Sequence, residues 1–114
     1  YESKEDALDA IDKFILDNLL NYPNPFSNAT KISAGHNRPD ENLVVRISIY
    51  SLNGQVIRII NATLISSGYQ LPPVEWDGSD SGGKRAGKGV YPYTVTIRTS
   101  SGETASISGR MIIL

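Results

Sequence analysis

The residues best suited to chemistry lie in one glycine-rich stretch, WDGSDSGGKRAGKGVYPY, which spans residues 76–93. It combines Asp77 and Asp80 with serines, glycines and lysines. Such a composition suits either an oxygen-lined calcium loop or a backbone cradle for phosphate. A third interpretation is structural, because aspartates and glycines are also the residues that long turns between strands require.

A calcium loop of the EF-hand type is excluded by its spacing. Counted from Asp77, Ser79 and Ser81 take the third and fifth positions and Gly82 the sixth, but the twelfth position needs a glutamate and is Lys88. The chain has no cysteine, so thiolate metal sites are excluded as well. We therefore expect no metal and no cofactor, with a calcium site of another type as the open alternative.

Phosphate binding and catalysis are equally poorly supported. The segment GGKRAGKG contains lysines, but neither is followed by the Ser or Thr of a P-loop, and no helix pattern follows. The single histidine, His36, lies in the turn-like segment GHNRPDEN, where we expect it to be solvated. No acid, base or nucleophile constellation is visible, so we expect this domain not to be an enzyme.

Composition restricts the class of partner. A chain of 114 residues with 39% hydrophobic content can form one globular core. A net charge of −1 gives no electrostatic footprint for nucleic acid or for an anionic membrane surface. No apolar run approaches the ~18 residues of a membrane span. The chain begins at Tyr1 without a visible signal peptide, and we expect it to be the end of a longer chain.

Residues 1–19 differ in pattern from the rest. Apolar residues recur at three- and four-residue steps, which predicts an amphipathic helix ending near residues 18–21, or a linker to an upstream domain. The apolar positions are Ala7, Leu8, Ile11, Phe14 and Ile15. The following segment, NYPNPF, contains Pro23 and Pro25, which predict a stiff, polyproline-like entry into a sheet. We expect Tyr22 and Phe26 to anchor it to the core.

Residues 20–114 alternate between strand and turn patterns. The run LVVRISIYSL (residues 43–52) is followed by Asn53-Gly54, which predicts a two-residue type I′ hairpin turn. Pairing across that turn places Arg58 on the inner face beside apolar residues. Either a β-bulge shifts the register, therefore, or the hairpin is apolar on both faces. The run GVYPYTVTIRT alternates regularly, with Tyr91, Tyr93, Val95 and Ile97 predicted to point inward.

The last segment, ETASISGRMIIL, also alternates. Its inward face is predicted to carry Ala105, Ile107, Gly109, Met111 and Ile113, which turns Ile112 and Leu114 outward. About seven short strands at roughly ten-residue spacing predict an all-β fold, an immunoglobulin-like antiparallel β-sandwich over residues 20–114. We expect Trp76 in its core, with one hydrogen-bond partner for the indole N–H.

Four pieces of the chain, in this order and spacing, resemble a known family: NYPNPF, IYSLNGQVIR, WDGSDSGGKRAGKGVYPYTV and GRMIIL. Together they are similar to the type A C-terminal sorting domain of the type IX secretion system of Bacteroidota. The positions that carry the resemblance include Pro23, Pro25, Asn53, Gly54, Trp76, Asp77, Gly78, Gly89 and Tyr91. A related sandwich in the flagellar hook-capping family shares the Trp-Asp-Gly loop and the Gly-Val-Tyr strand, and it stays open as an alternative.

The resemblance implies a C-terminal secretion signal and docking domain. Such a domain directs an attached protein from the periplasm across the outer membrane to the cell surface, and its partners are the type IX machinery or an outer-membrane shuttle protein. The alternative function is an accessory module of a larger secreted protein that binds protein or carbohydrate.

The resemblance also implies that the end of the chain is recognised, at Gly109, Arg110, Met111, Ile112, Ile113 and Leu114. Because these residues end the chain, we expect them to offer a strand edge to a partner. Family members often end in a basic residue, whereas this chain ends in IIL. That ending suits a member that keeps its domain, such as a gingipain-like sortase.

Overall fold

The computed structural model describes residues 13–114, which form seven β-strands in two antiparallel sheets. The strands are β1 (Leu16–Tyr22), β2 (Thr30–His36), β3 (Asn42–Tyr50), β4 (Val56–Ile65), β5 (Val74–Trp76), β6 (Gly89–Thr99) and β7 (Thr104–Ile113). One sheet has the order β1-β2-β5 and the other β4-β3-β6-β7. The predicted all-β, immunoglobulin-like sandwich is confirmed.

The core lies between the two sheets and follows the alternation of the strands. Every second residue is buried along β3 and from Tyr93 onward in β6, and in β7 the same face is half-buried to buried. The buried apolar side chains of these strands are Leu43, Val45, Ile47, Ile49, Tyr93, Val95, Ile97, Met111 and Ile113. The other sheet contributes Ile32 and Trp76. Tyr91 packs against this core as a half-buried residue.

Three turns of the chain share one geometry. In each, the amide of the first residue donates to the carbonyl of the fifth, and a glycine at the fourth position donates to the carbonyl of the first. The segments are residues 51–55, 80–84 and 99–103, and the glycines Gly54, Gly83 and Gly102 all have positive φ. This is a type I turn followed by a left-handed glycine bulge.

The type I′ turn predicted at Asn53-Gly54 is therefore wrong. A type I′ turn needs positive φ at both central residues, and Asn53 does not have it. Its side chain instead accepts a hydrogen bond from Ser51 Oγ, and the same hydroxyl accepts one from the amide of Gln55. The side chain of Ser51 thus favours a three-residue connection over a two-residue one.

The β3–β4 hairpin contains the bulge that its sequence allowed. The pairing slips between Ile49 and Tyr50, which leaves Ile57 unpaired next to the turn. Beyond the bulge Arg58 pairs with Ile49 and so shares its inner face. Arg58 is only half-buried there, and its guanidinium reaches the loop that follows β5.

The predicted N-terminal helix is wrong where the structure describes it. The residues that were expected to end the helix lie in β1, which pairs with β2 and contains a bulge at Asn18 (φ 48°). Phe14 is buried in the core, so the sandwich extends upstream of residue 20. The burial of Phe14 and the pairing of β1 with β2 have overridden the helical spacing. The rest of the predicted helix lies outside the described residues.

The NYPNPF segment is bent rather than extended. Residues 23–25 form a bend, so the predicted polyproline-like entry is wrong; the peptide bonds before Pro23 and Pro25 are cis. Phe26 is buried as predicted, whereas Tyr22 is 73% exposed and does not anchor the segment. The bend brings residues 24–26, here called the NPF segment, into contact with the end of β7.

Candidate functional site

The C-terminal tip (residues 109–114) has two faces of opposite character. Met111 and Ile113 are buried, while Ile112 is 39% and Leu114 69% exposed. This is the predicted alternation, and it follows from the register in which Ile112 pairs with Val90 on the outer face of the sheet. The tip therefore contributes to the core and also presents two large apolar side chains to the surroundings.

The backbone edge of the tip is already occupied. Asn24 Nδ2 donates to the carbonyl of Arg110 (3.2 Å), and Asn24 Oδ1 accepts from the amide of Ile112 (3.0 Å). Phe26 continues this pairing, since its amide donates to Ile112 and its carbonyl accepts from Leu114. The expectation that the tip offers a free strand edge is thus wrong: the side chain of Asn24 and the backbone of Phe26 complete it.

Phe26 also begins an aromatic cluster beneath this end of the sandwich. Its ring meets Trp76 edge to face at 5.7 Å, and Trp76 meets Tyr91 in the same way at 6.2 Å. The indole N–H of Trp76 donates to the carbonyl of Ser79 (2.9 Å), which is the partner its burial required. The Tyr91 hydroxyl donates to Gly87. The cluster joins the NPF segment to residues 77–88, here called the glycine loop.

The glycine loop is a small hairpin whose aspartates cap its own backbone. Asp77 Oδ1 accepts from the amide of Ser79, and Asp80 Oδ1 accepts from the amides of Gly82 and Lys84. Hydrogen bonds from the Ser79 hydroxyl and amide hold the pKa of Asp77 below its usual range. Within residues 13–114 no three His, Cys, Asp or Glu side chains come together as metal ligands would. The loop is used to make turns, as its third interpretation proposed.

Two arginines attach the glycine loop to its neighbours. Arg58 Nη1 donates to Ser79 Oγ and to the carbonyl of Asp80. The Arg85 guanidinium lies against Gly78 and donates to the backbone carbonyls of Asp77, Ser27 and Asn28. Of the three exposed cations in the loop, Lys84, Arg85 and Lys88, Arg85 is thus bound to backbone carbonyls.

All four pieces of the family resemblance therefore meet at one end of the molecule. The NPF segment binds the tip, the aromatic cluster joins it to the glycine loop, and Arg58 joins that loop to the β3–β4 hairpin. Gly89, the first residue of β6, pairs with Ile113 and brings the Gly-Val-Tyr strand to the same place. Sequence order alone could not show this convergence, because the contacts join residues far apart in the chain.

A groove of about 400 Å³ separates the tip from β1. Gly109 lies in its wall, where a Cβ would stand 2.9 Å from Leu19 Cδ2, so the absence of a side chain permits this close approach. Burial raises the pKa of Tyr93 to about 12, and its hydroxyl donates to Asn21 Oδ1 (3.1 Å). Gly109 thus has a packing role, whereas Arg110 is exposed on the rim.

Sequence reasoning missed two polar residues that connect distant segments. Asn24 binds the tip, and its position between two prolines was the available signal for a fixed side chain. His36 was expected to be solvated but is 5% exposed, with ring hydrogen bonds to Ser66 Oγ and to the amide of Arg38. Hydrophobic patterning does not predict either set of contacts. Asn24 binds backbone groups far away in the chain, and His36 binds polar groups.

No helix in residues 13–114 has the length and apolar character needed to cross a membrane. A comparison with curated proteins finds no match. Among solved structures, the chain is similar to the crystal structure of dimeric latent PorU from Porphyromonas gingivalis, with 27% identity and a TM-score of 0.72. That match covers 89% of this chain and 9% of the PorU chain, so this chain spans a small part of that protein.

The family model of the FlgD Ig-like domain matches residues 24–103 of this chain. The matched region begins at the NPF segment and ends one residue before β7. It includes both motifs that the hook-capping sandwich was expected to share, the Trp-Asp-Gly loop and the Gly-Val-Tyr strand. Because it spans well over half of the chain, this protein belongs to the FlgD Ig-like domain family.

Proposed function

We propose that this domain is a C-terminal sorting and docking module, which directs an attached protein through the type IX secretion machinery across the outer membrane to the cell surface. The observation that carries the proposal is the convergence of the four sorting-domain motifs at one end of the sandwich, around the exposed tip. The similarity to a segment of PorU over 89% of the chain supports the same conclusion. A gingipain-like sortase that keeps its domain is the parent protein that fits best.

The partner is the type IX machinery or an outer-membrane shuttle protein. It recognises side chains of the tip rather than the backbone edge of a strand. The NPF segment already occupies the backbone groups of the tip from Arg110 to Leu114. The apolar side chains of the tip that remain accessible are Ile112 and Leu114, which project outward. Apolar side chains held on a fixed backbone are suitable anchors for a binding pocket.

The test is export of a periplasmic reporter fused to the 114-residue domain in a bacterium with type IX secretion. The double substitution Ile112→Ser and Leu114→Ser removes the two outward side chains and leaves Met111 and Ile113 in the core. We expect the wild-type fusion to reach the cell surface and the double variant to stay in the periplasm. The thermal unfolding midpoints of the two purified domains should be close.

The matched control places the same change elsewhere on the same sheet. Ile59 and Ile65 are exposed on β4, at 44% and 67%, so Ile59→Ser with Ile65→Ser removes a similar apolar area away from the tip. Export should survive in this control. If the tip variant is folded and exported as well as the control, the tip is not the recognised element. If even the wild-type fusion stays in the periplasm, the sorting function itself is refuted.

A second candidate function is an accessory Ig-like module, of hook-capping type or otherwise, that binds protein or carbohydrate. The family match favours it, because that match ends before β7 and so does not depend on the tip. Under this alternative, a reporter fused to the domain gains no route to the surface.

A further inference from the structure

The outer face of the four-stranded sheet carries positive charge and no carboxylate. Its strands, β3, β4, β6 and β7, contain neither Asp nor Glu, and Arg46, Arg98 and Arg110 are exposed on the outer side. Residues 13–114 hold ten Lys and Arg against seven Asp and Glu, a net charge of +3, and residues 1–12 hold the balance of −4. The whole-chain charge of −1, on which an anionic membrane surface was excluded as a partner, therefore does not describe this face.

Two of these arginines, Arg46 and Arg98, are neighbours at the end of the sheet away from the tip. Arg46 pairs with Thr96, two residues before Arg98, so the arginines lie diagonally across β3 and β6. Diagonal positions are about 7–8 Å apart, within reach of two long side chains. Neither guanidinium forms an ion pair or hydrogen bond with any residue that the structure describes. The carboxylate at this end of the sheet, Glu103, pairs instead with Arg38.

An open depression of about 290 Å³ is lined by both arginines. The rest of its lining includes Asn61, Thr96 and Thr104, whose amide and hydroxyl groups can also donate. Two guanidinium forks can each donate two parallel hydrogen bonds to an oxyanion. A tetrahedral phosphate has enough oxygens to accept from both at once. The depression therefore suits the phosphate of a larger molecule.

Large apolar side chains lie beside the two arginines on the same face. Val44 also lines the depression, and Ile59 and Ile65 of β4 are exposed nearby. These five residues, Val44, Arg46, Ile59, Ile65 and Arg98, are here called the arginine patch. Binding to a membrane surface combines burial of apolar side chains at the headgroup level with attraction of cations to anionic lipids. The patch supplies both.

Other anionic partners would use less of this surface. Single-stranded nucleic acid is bound by stacking its bases on aromatic rings, and the patch has no aromatic residue. An acidic polysaccharide would gain nothing from the isoleucines. A folded protein is selected by complementary shape, whereas Ile59 and Ile65 project from the sheet and line no pocket that the arginines share. A fluid lipid surface needs no such shape.

We propose that the arginine patch docks on an anionic lipid surface. Arg46 and Arg98 bind a headgroup phosphate, and Ile59 and Ile65 insert beside it. Because the patch is small and open to solvent, the binding is weak and decreases as salt screens the charges. The proposal does not rest on the sorting function, since the patch lies away from the tip.

Co-sedimentation of the 114-residue chain with lipid vesicles tests the electrostatic part. Wild type should bind vesicles of mixed phosphatidylcholine and phosphatidylglycerol, and bind phosphatidylcholine alone much less. Arg46→Gln with Arg98→Gln should weaken binding by about ten-fold or more. The matched control, Lys31→Gln with Lys84→Gln, removes two exposed positive charges from the other sheet and the glycine loop. It should bind with nearly the wild-type affinity.

The apolar part is tested by Ile59→Ser with Ile65→Ser. This variant should bind the mixed vesicles several-fold more weakly than wild type, whereas the sorting proposal predicts that it is still exported. The two proposals can therefore fail separately. All of the substituted side chains are exposed, so the unfolding midpoints should stay close to that of wild type.

The wild type alone provides a check that does not depend on any variant folding. Its binding to the mixed vesicles should fall steeply as the salt concentration rises. Binding that is insensitive to salt, or equally weakened by the arginine and lysine substitutions, would overturn the proposal. A wild type that binds soluble dextran sulfate but not the vesicles would overturn it as well, and would assign the patch to an acidic polysaccharide.

Discussion

The imidazole of His36 joins two segments that are distant in sequence. Its Nε2 lies 2.7 Å from Ser66 Oγ, and its Nδ1 accepts a hydrogen bond from the amide of Arg38 at 3.0 Å. Because Nδ1 is an acceptor, the neutral ring carries its proton on Nε2 and donates it to Ser66. Ser66 Oγ in turn reaches the carbonyls of Gly68 and Gln70. The ring thus holds the β4–β5 connection against the end of β2.

Protonation of His36 should destabilise the fold. Burial lowers the pKa of His36, and a proton on Nδ1 would also face the amide of Arg38. The unfolded chain therefore binds this proton more readily than the folded one below the unfolded-state pKa of about 6.5. The stabilising contribution is complete above that value. It is lost as the pH falls from there toward the lower pKa of the folded state.

We expect the free energy of unfolding to fall as the pH drops below about 6.5 toward the lower pKa of His36 in the folded state, by up to about 1.4 kcal/mol per pH unit for this one group. In His36→Gln the slope over this window should be nearly flat, as measured by urea denaturation at each pH. The lowered pKa values of Asp77 and Glu103 affect both proteins alike and act at lower pH. A variant as pH-dependent as the wild type would exclude His36 as the cause.

At the scale of elements, three type I turns with a glycine bulge build three of the connections. In each, the side chain of the first residue accepts from the amide of the fifth: Ser51 from Gln55, Asp80 from Lys84 and Thr99 from Glu103. A short oxygen-bearing side chain at the first position and a glycine at the fourth therefore define the motif in this chain. The glycine loop is the longest example because Asp77 and Arg85 add contacts outside the hairpin.

Adjacent glycines of the glycine loop allow a matched test of that geometry. Gly83 has a φ of 83°, whereas Gly82 does not lie in the left-handed region and has room for a Cβ. Gly83→Ala should lower the free energy of unfolding by about 1–2 kcal/mol, because an L-residue resists this conformation. Gly82→Ala should change it little or raise it slightly. Thermal unfolding of both variants checks the prediction, and equal midpoints would contradict it.

The hydrogen bonds between Asn24 and β7 predict that a substitution of Asn24 will loosen the end of β7 locally. Asn24→Ala removes both hydrogen bonds to the tip, at Arg110 and Ile112, and should cost about 1 kcal/mol of stability. The amide of Ile112 should then exchange with solvent faster, as measured by hydrogen exchange with NMR detection. Asn28→Ala is the control, since its exposed side chain forms no hydrogen bond within residues 13–114. Unchanged exchange at Ile112 would show that Phe26 alone holds the tip.

Period-two alternation made the strands and core predictable, because Val95, Ile97 and Met111 must face the same side. Prediction from local spacing failed where contacts with distant parts of the chain determine the secondary structure. Phe14 and Ile15 have helical spacing, yet the residues that follow them pair with β2 as a strand. The candidate site was only partly predictable. Its residues could be named from motifs, but the occupation of the tip by Asn24 depends on contacts between chain positions 86 and 88 residues apart.

At the scale of the whole molecule, the two ends of the described chain close one side of the sandwich. Strand β1 belongs to the three-stranded sheet, and the NPF segment that follows it crosses to β7 of the four-stranded sheet. Gly109 lets Leu19 approach β7 along the same side. Folding of β7 is therefore coupled to the placement of the first described strand, and the loss of the buried tip residues should destabilise both sheets.

Deletion of residues 111–114 should consequently unfold the domain. It removes the buried Met111 and Ile113 and the partners of the Phe26 backbone. Each lost core side chain costs roughly 2–5 kcal/mol, and the sum approaches the roughly 5–15 kcal/mol by which domains are stable. Far-ultraviolet circular dichroism and the fluorescence of Trp76 should both report loss of structure. Ile112→Ser with Leu114→Ser should instead retain a cooperative transition near the wild-type midpoint. If the truncated chain unfolds at the wild-type temperature, the tip does not stabilise the sandwich. Loss of export on truncation could then be attributed to recognition alone.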